Sequence, residues 1–378
     1  MNPLKQLEAC GQSPWLDYLK RSLLETGGLK TLIERDGLKG VTSNPSIFEK
    51  AIAESDEYAD AIKKFQAQKD HNVSDIYEHL AVTDIRAAAD ILRPVYQQTQ
   101  GRDGYVSLEC SPYLANDTAA TLEEALRLWA MVARSNLMVK VPATPAGIPA
   151  IRQLIGRGLN INVTLLFSVA VYEEVAEAYI AGLEDLKKSG GDLAKVSSVA
   201  SFFVSRIDSA VDKKLDKLAD KPQAERFRGK VAIANAKLAY VRYKALFSGQ
   251  RWERLAAAGA KTQRLLWAST STKNPAYKDT MYVEALIGRD TVDTIPPATM
   301  DAFRDHGNAV ADAIEQGVGE ARALLDDLAK QGISLKEITD DLVVDGVRQF
   351  SGAFDVLLSA VAKRRQTFLE GDHAGLAS

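Results

Sequence analysis

The segment SNLMVKVPAT, Ser135 to Thr144, sets an ammonium group inside an apolar run. An unpaired charge is costly to bury, and a buried lysine commonly responds by giving up its proton nearer neutral pH. As a neutral amine, Lys140 would be a nucleophile toward carbonyl carbon. As an edge-strand lysine with its stem packed and its head in water, it would do no chemistry. Other short apolar runs carry polar residues near their C-terminal ends: Asp17, Asn44, Glu109, Asn162, Thr164, Ser201 and Ser269. Taken singly, each has a plainer reading, Asn44 as a turn former in SNPS and Thr164 as an ordinary strand residue. Brought to one lumen, an amine, two carboxylates, two amides and several hydroxyls would make a polar site rather than a hydrophobic plug.

Eight such runs have to position these groups. They are Pro14–Leu19, Leu38–Phe48, Gly104–Ser111, 137–144, Ile161–Ser168, Lys195–Arg206, Arg264–Thr270 and Thr291–Pro297. Between them lie segments such as Thr121–Arg134 and Ser168–Lys188, with apolar residues at three- and four-residue spacing. Strands alternating with helices predict an α/β fold of parallel βα units, and eight of them at this length predict a closed (β/α)8 barrel of the TIM type. An open doubly wound sheet would bring a glycine-rich nucleotide turn, and neither GxGxxG nor GxxxxGK[ST] occurs. Residues 207–262 hold two helical patterns where one helix would suffice, which predicts extra helices between strands six and seven. After Pro297 the chain reads as helices, with no Pro/Gly/Ser linker. The expectation is therefore one domain over residues 1–378: a barrel core of about 14–303, a helical C-terminal extension of about 304–370 packed on it, and a terminal EGDHAGLAS that frays.

The bulk composition fits this reading. Of 378 residues, 46% are hydrophobic and 26% charged, as in an ordinary globular protein. Forty-seven basic against fifty acidic side chains argue against nucleic acid or an anionic membrane as the main partner. Cys10 and Cys110 form no CxxC motif, and the four histidines sit on no predicted strand end, so no metal site is expected. No stretch approaches a membrane span and the N-terminus lacks signal-peptide character, so a cytoplasmic protein is expected.

The motifs GVTSNPSIFEKAI, LMVKVPAT, INVTLLFS, SFFVSRID, WASTSTKNPAYKDTMYVEALIG and TVDTIPPATMDAF together resemble the transaldolase family, in that family's order, over roughly Pro14 to Phe303. The enlarged connection between strands six and seven resembles a long bacterial branch of it. The resemblance implies a transferase of the non-oxidative pentose phosphate pathway. It would move a dihydroxyacetone unit from sedoheptulose 7-phosphate to glyceraldehyde 3-phosphate, giving erythrose 4-phosphate and fructose 6-phosphate, with no cofactor. Lys140 aligns with the Schiff-base lysine and Asp17 with the general acid–base carboxylate. Glu109 and Thr164 align with the pair that holds a water and relays protons. Asn44, Asn162 and Ser201 align with residues that bind the dihydroxyacetone carbons, and Arg206 with a phosphate fork whose plainer alternative is an ion pair to Asp208. The short branch carries an arginine after strand seven where this chain reads STSTKN, so Ser269 and Lys273 are expected to complete the phosphate site; Lys273 reads equally well as a solvated loop lysine. The related lyase, fructose 6-phosphate aldolase, resembles a shorter chain with glutamine at the position of Glu109 and tyrosine at that of Phe203. Both residues here are transaldolase-like. Small phosphorylated sugars are the expected partners of a monomer or homodimer.

Overall fold

The structure is a computed structural model that describes residues 2–53, 55–67 and 71–375. Eight parallel strands close into a barrel in chain order. They are β1 (Gln12–Asp17), β2 (Gly40–Thr42), β3 (Tyr105–Glu109), β4 (Leu137–Pro142), β5 (Ile161–Leu166), β6 (Ser198–Phe203), β7 (Arg264–Ala268) and β8 (Thr291–Ile295). Parallel neighbours need crossovers, and helices supply them. Helix α1 (Pro3–Ala9) precedes the barrel; α2 (Arg21–Glu25) and α3 (Gly28–Asp36) lead to β2. Next come α4 (Pro45–Ala53), α5 (Ala59–Gln66) and α6 (Val73–Gln98), then α7 (Thr118–Val132), α8 (Gly147–Ile155) and α9 (Val169–Lys188). Between β6 and β7 stand α10 (Ser205–Leu215), α11 (Lys221–Glu225), α12 (Val231–Leu246) and α13 (Gly249–Ala256). Helix α14 (Met281–Ala285) precedes β8, and α15 (Pro297–His306), α16 (Val318–Lys330) and α17 (Leu335–Gly375) follow it.

Strands covered on both faces read as continuous apolar runs, and β4 is buried at every position, Lys140 included. Side chains alternate across the wall, so Ser13, Trp15 and Asp17 of β1 rise through the lumen in steps. Trp15 fills so much of it that a Cβ on Gly40 would lie 2.5 Å from the indole, which explains the glycine in β2. At the N-terminal end, Arg264 pairs with Asp103 at 2.9 Å, and Ser13 and Trp15 both donate to the same carboxylate. That network closes the floor and leaves the C-terminal rim for chemistry.

The sequence expectations need four corrections. The run Leu38–Phe48 holds only three strand residues; SNPS turns the chain and SIF belongs to α4, where Asn44 Oδ1 caps the helix by accepting from Ile47 N at 3.0 Å. Strand β6 begins at Ser198 rather than Lys195, and Arg206 lies in the first turn of α10 rather than in the strand. Residues 207–262 hold four helices rather than two, and within the expected C-terminal helices a turn and a short 3-10 segment, Ala313–Glu315, interrupt the chain. Finally α17 continues through Gly375 where fraying was expected from Glu370; residues 376–378 lie outside the described residues.

Helix α17 packs along α4 and α6 and reaches the top of β5. There the β5–β6 register shifts between Val163 and Leu166, and Leu165 takes φ +60°. A left-handed leucine is strained, and the packing above it holds it: Gly346 of α17 sits so close that a Cβ would meet Leu165 Cδ2 at 2.8 Å.

Candidate active site

Lys140 and Glu109 are register partners on adjacent strands, and both point inward. Lys140 is 5% exposed; its Nζ lies 3.5 Å from Glu109 Oε2 and donates to the Ser43 carbonyl at 3.2 Å. Burial raises the Glu109 carboxyl above its ordinary range, and Lys140 and Arg206 only partly offset this. Asp17 ends β1 across the lumen, where Thr42 Oγ1 donates to it at 2.7 Å and in turn shares a 2.6 Å contact with Thr294 Oγ1. Burial raises Asp17 as well, against Lys140, Thr42 and Lys273. Two carboxylates that hold their protons above the ordinary carboxylate range, beside one amine, are placed for proton transfer.

Six side chains at the rim belong to one cavity of about 130 Å³: Asp17, Asn44, Lys140, Thr164, Ser201 and Phe203. Arg206, Ser269 and Lys273 border it too. Thr164 is fully buried and its hydroxyl has no protein partner. Asn162 sits one layer behind, fully buried, accepting from Ser201 Oγ at 2.6 Å and donating to Ser107 Oγ at 3.0 Å. It orients Ser201 and keeps one amide N–H uncommitted. Asn44 has two duties, capping α4 and lining the cavity. Glu109 does not border this cavity, although its carboxylate touches Lys140.

At the mouth, Arg206 lies between two aromatic faces, Cζ 5.2 Å from the Phe203 ring and 5.9 Å from that of Phe350. Its Nη1 is buried without a partner, and burial lowers its pKa against the pull of Asp345 and Glu109. The alternative of a pair with Asp208 fails: that carboxylate accepts from Ala232 N and Tyr282 Oη, each at 2.8 Å, and burial raises it to about 6. Lys273 donates to Ser271 Oγ at 2.7 Å, and burial lowers its pKa. Ser269 follows β7 with φ +58° and shares a 2.9 Å contact with Ser205 Oγ. A partly desolvated guanidinium beside a lysine and two hydroxyls has the donors an anion would need.

Sequence reasoning missed Thr42, Thr294, Ser107 and Phe350. Thr42 and Thr294 lie inside quoted motifs and carried a weak signal as strand-end hydroxyls. Phe350 comes from α17, far along the chain, and no local pattern aims it at the barrel mouth.

Known proteins match this chain along nearly its whole length. The family profile described as Transaldolase/Fructose-6-phosphate aldolase matches residues 14–361. The chain is 47% identical over 373 residues to a protein named transaldolase from Trichodesmium erythraeum, covering 96% of this chain and 97% of that relative. A transaldolase from Thiobacillus denitrificans is 47% identical over 361 residues, 96% and 100% of the two chains. A protein named transaldolase 1 from Streptomyces avermitilis is 48% identical over 359 residues, 95% and 94%.

Proposed function

This chain belongs to the transaldolase/fructose-6-phosphate aldolase family and has transaldolase activity, and we propose that it runs the reaction through an imine on Lys140. The observation that carries the proposal is the buried amine itself, 3.5 Å from one carboxylate and in the same cavity as another. The Lys140 nitrogen adds to C2 of a ketose phosphate, water leaves, and the imine becomes the electron sink. Asp17 takes the C4 hydroxyl proton; the C3–C4 bond breaks, and the shortened aldose leaves with its phosphate. The three-carbon enamine stays on Lys140 and attacks C1 of the acceptor aldehyde, which recovers the proton from Asp17. Hydrolysis of the imine then frees the product ketose.

Each other residue has a place in this sequence. Glu109 relays protons at the carbinolamine, with the Thr164 hydroxyl holding water on the facing side. Asn44, Ser201 and the spare N–H of Asn162 hold the dihydroxyacetone hydroxyls, with Phe203 as an apolar wall. Arg206, Lys273 and Ser269 take the phosphate. Donor and acceptor are those of the transaldolase reaction, sedoheptulose 7-phosphate and glyceraldehyde 3-phosphate, and since they share a terminal phosphate one anion site at the mouth can serve both. Release of free dihydroxyacetone, as in the related lyase, is the minor outcome while position 109 is glutamate and position 203 phenylalanine.

Replacing the amine tests this directly. Lys140→Arg keeps the charge and bulk but cannot form an imine, so transfer should fall by at least about a thousandfold with melting temperature within a few degrees of wild type. Full activity in that variant would remove the imine from the mechanism.

A further inference from the structure

A second cavity of about 240 Å³ reaches the same catalytic pair from outside the barrel. Its inner end is Glu109; its walls are Tyr77 and Ala81 of α6, Glu124 and Leu128 of α7, and Phe354 of α17. Its rim includes Tyr113, 54% exposed, so the cavity opens to solvent there. Glu109 borders this cavity and not the sugar cavity, whereas Lys140 borders the sugar cavity and not this one. Their 3.5 Å ion pair is the partition between the two. The Glu109 side chain is 6% exposed, and its Oε2 makes no hydrogen bond.

Helix α17 helps build both chambers. Phe350 borders the sugar cavity and Phe354, one turn on, borders the second, so one face of the helix lines both chambers. Polar side chains stand among the apolar walls of the side cavity. Glu124 accepts from Ser111 N at 3.0 Å, and burial raises its pKa. Tyr77, its ring edge-on to Phe354 at 5.4 Å, also has a raised pKa from burial, with Glu109 and Glu124 adding to it. A chamber that ends on a carboxylate and carries Glu124, Ser111 and Tyr77 on its walls offers water hydrogen-bond partners.

We infer that this side cavity is a second entrance to the catalytic pair, through which solvent water exchanges at Glu109 while the sugar fills the barrel mouth. The inference rests on the imine reading above. Imine formation releases the C2 oxygen as water, and hydrolysis must return one. Glu109 takes one proton from that water as its oxygen bonds to C2 and passes it to the nitrogen; the C2–N bond then breaks as the carbinolamine hydroxyl gives up the second proton to form the ketone, and both protons of the water end on the Lys140 amine. With a sugar phosphate seated among Arg206, Phe203 and Phe350, which border the sugar cavity, the side cavity is a path that avoids the occupied mouth.

The test follows oxygen and aldehyde exchange together. Fructose 6-phosphate is incubated with enzyme and labelled glyceraldehyde 3-phosphate in oxygen-18 water. Each exchange of the aldehyde requires one imine cycle, so the count of C2 oxygen-18 per aldehyde exchange reports whether the water was replaced. Wild type should give a ratio of about one, and Ala81→Leu, which narrows the cavity, should give below about one half with slower kcat and unchanged KM. Leu128→Phe repeats the test from α7 if Ala81→Leu loses its folded melting transition. A low ratio in wild type, which needs no variant, would overturn the inference, as would ratios that stay equal between wild type and a folded narrowed variant. No aldehyde exchange at all would instead refute the imine reading.

Discussion

At Glu109 the environment does opposing work. Burial raises its carboxyl, Lys140 at 3.5 Å draws it down, and the net shift is upward. Asp17 shows the same balance with Thr42 as its donor. A base whose pKa has been raised stays protonated to higher pH, so the acid limb of kcat/KM should lie above the usual carboxylate range. Glu109→Gln should keep the hydrogen-bonding shape but lose the proton relay. Free dihydroxyacetone released from fructose 6-phosphate without acceptor should rise relative to transfer by roughly tenfold. An unchanged ratio would take the relay away from Glu109. At this scale much was legible from the chain alone. A lysine in LMVKVPAT and carboxylates ending their own runs are conspicuous because apolar strands exclude them. Asn162 was legible as a polar lumen residue, but its position behind Ser201 was not, because depth along the barrel depends on strand stagger.

The elements add constraints that no short motif contains. The strands were readable because both faces are covered, yet β2 is three residues long, and the β-rich look of SIF concealed the start of α4. Packing on α17 overrides local preference there and at Leu165, where Gly346 admits the bulge. Strand β8 carries a second consequence. Asp293 is fully buried beside Trp267, accepts from Thr270 Oγ1 at 2.9 Å, and is raised by burial to about 8. The folded protein thus holds a proton that the unfolded chain releases near pH 4, so stability falls as pH rises between those values. Asp293→Asn removes this dependence. Urea unfolding should show the variant gaining on wild type by on the order of 3 kcal/mol between pH 5 and pH 8. A constant difference across that range would mean that Asp293 is ionised in the folded state.

As a whole the molecule carries a formal charge of −3, yet the barrel mouth is basic. Arg206 and Lys273 border a larger open groove of about 700 Å³ that continues past Lys213, Lys214 and Lys217. The chain's near-neutral total concealed this local field, since composition averages over the surface. Phosphorylated sugars should therefore show KM rising with ionic strength, and non-phosphorylated sugars should not. Arg206→Ala should lower kcat/KM for phosphorylated substrates about a hundredfold, on the order of 2–3 kcal/mol for a charge-assisted contact. It should also flatten the salt dependence and leave the poor activity on non-phosphorylated sugars nearly unchanged. Equal losses on both classes would make Arg206 a structural residue wedged between Phe203 and Phe350.

The carbonyl chemistry at Lys140 is what joins these scales, since barrel, carboxylates and mouth all converge on one amine. Borohydride added during turnover of fructose 6-phosphate reduces an imine to a stable secondary amine, and peptide mass mapping locates it. The account predicts one sugar-derived adduct, on the peptide containing Lys140, and none in Lys140→Arg. An adduct on a different lysine such as Lys273, or continued turnover with no trappable adduct, would contradict it.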